Sequence, residues 1–266
     1  MKAGPLLDLD EERVKVQTPH LSHSRVSKYL HCPEQYRLYY VKNLRARSPA
    51  SSLVFGQVVH ASLADLFSKG GDPVSFFETL WAEAKDWDLT YKNRESWEKL
   101  RDSGLGLLEK FLKEDLPRLG DIQGVEESFR LQVTGIDEPF VGIIDLVAAL
   151  EGVRTLIDFK TSAGSYEPHE VLLSDQLTAY QLAKPDAQQA ALCVLVKTKE
   201  PKIEWHVSRR APDQLTEYLG KVGYVAREIA SGRFYKRPGK WCSWCDFLPV
   251  CTGDTKTAQA TLVTAR

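Results

Sequence analysis

Residues 141–160 have the sequence VGIIDLVAALEGVRTLIDFK. The first half is a nearly continuous apolar run that only Asp145 interrupts, and the second half is a shorter apolar segment that ends in charged residues. Glu151 and Gly152 lie between the two halves, and glycine readily adopts the positive φ that a two-residue hairpin turn requires. The stretch therefore predicts two β-strands joined by a tight turn.

The register of this hairpin follows from its turn. With Glu151 and Gly152 as the two turn residues, the pairing places Asp145 directly opposite Asp158, and directly paired residues point to the same face of a sheet. Because side chains alternate along a strand, Lys160 shares the face of Asp158. One face of the hairpin is therefore predicted to carry two carboxylates and an ammonium group.

Two carboxylates at this distance repel each other unless a cation lies between them. A hard divalent ion such as Mg²⁺ or Mn²⁺ prefers oxygen ligands and retains bound water. Water on such an ion can attack a phosphodiester, and Lys160 could hold that water or stabilise the negative charge that develops on the phosphate. The alternative interpretation is a strand end at which Asp158 and Lys160 are solvated or form an ordinary ion pair.

Composition indicates an ordinary globular protein. The chain has 266 residues, of which 43% are hydrophobic and 27% charged, and its formal net charge of −1 means that nucleic-acid binding would depend on local basic patches. It lacks an apolar run of 18 residues and a signal-peptide pattern, so we expect a cytoplasmic protein without a membrane partner. We expect an irregular arm at 1–20, one domain at 21–251 with a helical insertion at 72–117, and a flexible tail at 252–266.

The periodicity around the hairpin predicts an α/β fold, with a mixed sheet whose element order is β-β-β-α-β-β, flanked by helices. Serine caps, Pro at first turns and Gly at helix ends locate the helices. The predicted helices cover residues 22–30, 33–44, 53–67, 72–87, 95–116, 175–183 and 211–229, and the predicted strands cover 124–133, 141–150, 155–160, 190–197 and 202–207.

Polar side chains on the neighbouring elements are further candidates. His60 lies on the third predicted helix, although a lone histidine is often merely packed or solvated. Gln176 and Tyr180 are four residues apart on one helical face, where they could bind a phosphate backbone or orient Lys160, or could simply belong to an amphipathic helix. Glu126 could approach the metal from the strand that precedes the hairpin.

The cysteines form a separate pattern. Cys242, Cys245 and Cys251 follow one another in FYKRPGKWCSWCDFLPVC, residues 234–251, and Cys32 is the credible fourth thiolate, whereas Cys193 lies in an apolar strand and is expected in the core. This spacing leaves zinc and an iron–sulfur cluster both open, with the cluster favoured. The same segment combines basic and aromatic side chains that could contact single-stranded nucleic acid or form a solvated loop. These side chains are Arg233, Lys236, Arg237, Lys240, Trp241 and Trp244.

In chain order, His60, Asp145, Asp158-Phe159-Lys160 and Gln176-x3-Tyr180 resemble the motifs of RecB-like PD-(D/E)XK nucleases. The cysteine pattern is similar to that of their iron–sulfur subset, which includes the AddB nuclease domain and the CRISPR-associated RecB-like exonucleases. The resemblance extends over about residues 21–251. It implies a restriction-endonuclease-like core, a 4Fe–4S cluster at an iron–sulfur segment (233–251), and metal-dependent cleavage of DNA, usually single-stranded and from an end.

The resemblance also implies roles for individual residues. Asp158 stands where many relatives have glutamate, a variation that the family also uses. Two alternatives remain: a DNA-binding or assembly subunit that recruits a helicase or a CRISPR integrase, and a structural protein stapled by zinc. The implied metal ligands are His60, Asp145, Asp158 and the backbone carbonyl of Phe159; Lys160 is the implied catalytic lysine, assisted by Gln176 and Tyr180; and the implied cluster ligands are Cys32, Cys242, Cys245 and Cys251.

Overall fold

A computed structural model describes residues 19–265, so the predicted arm lies outside the described residues except for Pro19 and His20. Short π-helical turns follow α2 (37–41) and α5 (111–115), and 3₁₀ turns cover 84–86, 116–118 and 240–244. In chain order the elements are α1 (His23–His31), α2 (Pro33–Tyr36), β1 (Leu44–Ala46), α3 (Ser51–Lys69), α4 (Pro73–Glu83), α5 (Trp97–Lys110), β2 (Leu119–Leu131), β3 (Phe140–Leu150), β4 (Val153–Ser162), α6 (Pro168–Leu172), α7 (Asp175–Ala183), β5 (Gln189–Val196), β6 (Lys202–Ser208), α8 (Pro212–Ala230), α9 (Leu248–Thr252), α10 (Thr255–Thr261) and β7 (Leu262–Thr264).

Strands β2 to β6 form one sheet in which each strand lies beside its neighbours in the sequence. The β4–β5 pair is parallel and the other pairs are antiparallel. A parallel pair needs a crossover connection, and α6 and α7 provide it. The predicted mixed sheet and its order of elements are therefore confirmed.

The central hairpin has the predicted register. Leu150 pairs with Val153, and Glu151 and Gly152 both have positive φ, at 51° and 83°, as a type I′ turn requires. The ladder ends at the pair Leu146–Ile157, one step before the two aspartates. The backbones of those aspartates are therefore not joined by the ladder, contrary to the simplest extension of the predicted pairing.

Helices cover both faces of the sheet. On one face, α3, α4 and α5 pack their apolar side chains, including Phe55 and Trp81, against Ile157 and Phe159 of β4. On the other face, Leu177 and Tyr180 of α7 pack against apolar residues of β3, β4 and β5. Helices α1 and α8 share a further apolar cluster next to α7. The hairpin is thus held between two helical layers.

Several element boundaries differ from the predicted ones. Helix α2 ends at Tyr36, because the chain changes to a π-helical turn and then to β1, which begins at Leu44. Strand β2 begins at Leu119, five residues before the predicted start, and its register shifts between Gly120 and Gly124. Its mixed polar sequence and the positive φ of Asp121 hid this part from a search for alternation.

The predicted flexible tail is wrong for most of its length. Asp254 caps α10 by accepting the Thr257 N–H at 3.0 Å. Strand β7 then pairs with β1, and Leu262 is buried in a small apolar cluster with Phe247. The small polar residues of this segment suggested fraying, but the partner strand lies more than 200 positions away and local sequence does not reveal it. No helix within 19–265 has the length and apolar character needed to cross a membrane.

Candidate active site

Asp158 of β4 lies at the centre of the candidate site and is only 1% exposed. Its Oδ1 accepts hydrogen bonds from Nε2 of Gln176 at 2.7 Å and from the hydroxyl of Tyr180 at 2.9 Å. Nε2 of Gln176 also lies 3.1 Å from the Tyr180 oxygen. The Lys160 ammonium lies 2.6 Å from the other Asp158 oxygen, Oδ2. Helix α7 therefore meets β4 as expected from the i, i+4 spacing of its two polar residues, and together they fix the orientation of the carboxylate.

Asp145 joins the hairpin to α3. Its Oδ2 accepts the backbone N–H of Phe159 at 2.9 Å, so that the side chain replaces the backbone contact missing where the ladder ends. The same oxygen lies 3.2 Å from Nδ1 of His60. A close approach of α3 permits this contact, because a Cβ at Gly56 would lie 3.3 Å from Oγ1 of Thr161 on β4. His60, Asp145 and the end of β4 are thus brought together.

Phe159 fixes the backbone between the two charged residues of β4. Its ring stacks on Phe67 at 6.1 Å and meets the edge of Phe111 at 5.9 Å, while Asp158 and Lys160 point to the opposite face. The alternation of a β-strand thus supplies both a core anchor and a polar pair within three residues.

The charges in the site influence one another strongly. Burial and the neighbouring charge of Asp145 raise the pKa of Asp158, and the Lys160 ammonium only partly offsets this effect. Burial opposes the charged form of Lys160, but the carboxylates of Asp158 and Asp145 outweigh it and raise the pKa of Lys160. Burial also raises the pKa of Tyr180 well above its ordinary value, so that its hydroxyl remains a proton donor toward Asp158. The site therefore holds an ammonium beside two carboxylates.

A cleft of about 420 Å³ opens over these groups. Six of the predicted site residues line it, whereas Phe159 and Glu126 instead border a smaller cavity beside His60 and Asp145. Sequence reasoning missed the opposite wall, where His20, His23 and Ser52 line the cleft. The signal available for that wall was a pair of helix starts that contain serine. The six lining residues are His60, Asp145, Asp158, Lys160, Gln176 and Tyr180.

The donor groups suit a hard divalent cation, although they are not drawn together around one. Across the described part of the chain, no three His, Cys, Asp or Glu side chains converge closely enough to hold an ion as they stand. Instead, Asp158 pairs with Lys160 and Asp145 faces His60. The buried Oδ2 of Asp158 has no hydrogen bond from a described residue. Two carboxylates and an imidazole around one cleft, with one carboxylate oxygen left over, fit the chemistry of a Mg²⁺ or Mn²⁺ site.

The other predicted ligand set lies in a second cavity. Cys32, Cys242, Cys245 and Cys251 all line a cavity of about 260 Å³ between the first helices and the C-terminal segment, and their thiols are free. Burial raises the pKa values of the Cys245 and Cys251 thiols, and the charges of the other cysteines add to this effect. Cys193 is fully buried in β5, as expected for a core residue.

The basic and aromatic residues of the C-terminal segment are more engaged than a solvated patch would be. Arg237 donates to the carbonyl of Leu30, and the Lys236 ammonium donates to the carbonyl of Cys251 at 2.6 Å. Trp241 donates its indole N–H to the carbonyl of Arg237 at 3.1 Å, whereas Trp244 is 77% exposed. Much of the predicted patch therefore holds the segment against α1 and α9.

A β-hairpin that places two carboxylates and a lysine in one cleft is characteristic of hydrolases that cleave phosphodiesters. The chain belongs to the PD-(D/E)XK nuclease superfamily, whose profile matches residues 20–252. That match includes both aspartates, the lysine and all five cysteines.

Solved structures share the fold at low sequence identity. A candidate exonuclease from Eubacterium rectale superposes with a TM-score of 0.54 at 12% identity, over 85% of this chain and 86% of that chain. A second solved structure, that of the protein SSO0001, gives a TM-score of 0.37 at 14% identity, over 86% of this chain and 95% of that chain, which is too low to support an argument. A comparison with curated proteins found no match. The first likeness supports the fold, and the profile supports the nuclease class.

Proposed function

We propose that the protein is a metal-dependent deoxyribonuclease that degrades DNA from an end and prefers single strands. The observation that carries this proposal is the grouping of Asp145, Asp158, Lys160 and His60 in one cleft of a chain that belongs to a nuclease superfamily. The preference for ends and for single strands derives from the resemblance to RecB-like enzymes.

His60, Asp145, Asp158 and the backbone carbonyl of Phe159 would hold one or two Mg²⁺ or Mn²⁺ ions. When bound, such an ion supplies an activated water molecule and neutralises charge on the phosphate. Gln176 and Tyr180 keep Asp158 oriented by their hydrogen bonds to its Oδ1.

Lys160 supplies positive charge next to the carboxylates. Its ammonium is 30% exposed and faces the cleft, so it can reach a bound phosphate without leaving the site. A preorganised cation at this position stabilises the negative charge that develops during phosphodiester cleavage. Removal of the ammonium is therefore expected to reduce cleavage more than binding.

The cysteine cavity is best explained by a structural 4Fe–4S cluster. A zinc site needs four sulfurs about 2.3 Å from one centre, whereas no three of these cysteines lie close enough to share a single ion among the residues described. A cluster spaces its thiolates more widely, because each one binds a different iron atom. The wide arrangement around one cavity supports the cluster, which would tie α1 and α2 to the C-terminal segment.

The test is degradation of end-labelled single- and double-stranded DNA with Mg²⁺ or Mn²⁺. The wild-type protein should shorten the single strand from an end, Lys160→Ala should lose this activity, and Lys256→Ala on exposed α10 should retain it. Binding without cutting by the wild-type protein would instead support a DNA-binding subunit that recruits a helicase or a CRISPR integrase. Equal cleavage by Lys160→Ala and wild type would reject the assigned site.

A further inference from the structure

Two helices begin at the rim of the candidate active-site cleft. Ser22, His23 and Ser24 at the start of α1, and Ser52 in the first turn of α3, all line it. The first turn of a helix presents unpaired N–H groups and a partial positive charge of about half an elementary unit, which together attract anions. The wall opposite α7 is therefore suited to a negatively charged ligand.

The two helix starts differ in how they are capped. Ser22 caps α1 by accepting the Arg25 N–H at 3.3 Å. Helix α3 starts at Ala50 without a hydrogen bond from any capping side chain that the structure describes. Glu95 lies at the same end, but its carboxylate accepts from the buried Ser51 hydroxyl at 3.1 Å, on the side away from the cleft. The cleft side of the first turn of α3 is left for a ligand.

His23 supplies the second observation. Its side chain is largely buried, lines the same cleft, and forms no hydrogen bond with a residue in the described range. Burial and the positive charge of Lys160 lower the pKa of His23 to about 4, so the ring is neutral at physiological pH. A neutral imidazole retains one N–H donor. A buried donor without a partner, aimed into a cleft between two helix starts, indicates a missing acceptor.

We propose that His23, Ser24 and Ser52 form a subsite that binds a non-scissile phosphate of the substrate strand. Because this wall faces Lys160 across the cleft, a phosphate held there would leave a neighbouring phosphodiester at Asp145 and Asp158. The inference rests on the proposed nuclease function and adds the residues that position the strand.

The experiment places a carboxylate at the subsite. Ser24 and Ser52 are each the second residue of their helix, where an acidic side chain favours the helix, so Ser24→Glu and Ser52→Glu should fold normally. Ser27→Glu, on the exposed middle of α1, is the matched control. Affinity for a labelled single-stranded oligonucleotide is measured by fluorescence anisotropy in EDTA. We expect about tenfold weaker binding for the two subsite variants, equivalent to ~1.4 kcal/mol, and no change for the control.

A second series identifies the phosphate. One uncharged methylphosphonate linkage is moved along the strand, and the 5′-terminal phosphate is removed separately. One such change should weaken binding to the wild type and have little further effect on Ser52→Glu, and its position distinguishes an internal phosphate from a terminal one. Wild-type affinity in both subsite variants, or additive losses at every position, overturns the subsite.

The outcomes also separate the subsite from the proposed nuclease function. A wild-type protein that cleaves DNA while both subsite variants bind normally overturns the subsite alone. One that binds but never cleaves overturns the nuclease function, and the anisotropy series still decides the subsite. One that binds no nucleic acid overturns both.

Discussion

The substitution Tyr180→Phe isolates the hydrogen bonds that hold the central carboxylate. The Tyr180 hydroxyl donates to Oδ1 of Asp158 at 2.9 Å and lies 3.1 Å from Nε2 of Gln176. A hydrogen bond to a charged group contributes about 1.5–3 kcal/mol, and phenylalanine fills nearly the same volume, so we expect a loss of that size in the free energy of unfolding. Loss of a group that orients a metal ligand typically reduces activity or metal affinity by about 10- to 100-fold.

The chain provides a matched control for this substitution. Tyr218 is 3% exposed, and its hydroxyl is buried without a hydrogen-bond partner among residues 19–265. Tyr218→Phe should therefore leave the unfolding free energy unchanged or raise it slightly, because it removes a buried unsatisfied group. Urea titrations at pH 8 in EDTA measure both variants, and DNA cleavage with Mn²⁺ measures activity. Equal stability of the two variants, or full activity of Tyr180→Phe, would refute the account of how Asp158 is held.

Three further predictions concern the cluster, a buried histidine and the hairpin turn. Cys32→Ala should abolish iron incorporation and visible absorption during anaerobic purification and cost about 3–5 kcal/mol of stability, whereas Cys193→Ala should retain iron; iron in Cys32→Ala protein at the wild-type level would contradict the ligand set. Since the pKa of His23 is lowered from 6.5 to about 4, the unfolded chain takes up a proton first, and stability should fall by about 3 kcal/mol between pH 6.5 and pH 4. His23→Gln should lack that contribution in urea titrations at pH 7 and pH 4.5, and parallel pH profiles would count against it. Gly152→Ala should destabilise the hairpin by about 1 kcal/mol because φ is 83°, whereas Gly220→Ala inside α8 should stabilise by up to about 1 kcal/mol; thermal unfolding that ranks them the other way would show that the turn tolerates a side chain.

The hairpin was predictable because its signals are local. The apolar run, the Glu151-Gly152 turn and the alternation of Asp158, Phe159 and Lys160 lie within 20 residues, and the pairing follows from the turn. The helix that carries Gln176 was also predictable, because a serine cap and a proline bracket it. Local chemistry thus located most of one wall of the cleft.

The features that were missed depend on distant contacts. The pairing of β7 with β1 joins Leu262 to Ala46, and nothing within either segment specifies the other. The opposite wall of the cleft exists because α1 and α3 begin beside the sheet, which places His23 near Lys160. The Asp145 side chain takes over a backbone hydrogen bond only where β3 and β4 separate. The general lesson is that periodicity predicts elements, whereas their mutual approach needs the folded structure.

The central claim is that Asp145 and Asp158 bind a divalent cation beside Lys160. Its most direct test is anomalous diffraction from crystals of the wild-type protein soaked in MnCl₂. The account predicts an anomalous peak within bonding distance of a carboxylate oxygen from each aspartate, with the Lys160 ammonium displaced from Oδ2 of Asp158. A cleft without a peak, with the Asp158–Lys160 ion pair intact in the presence of manganese, would contradict it.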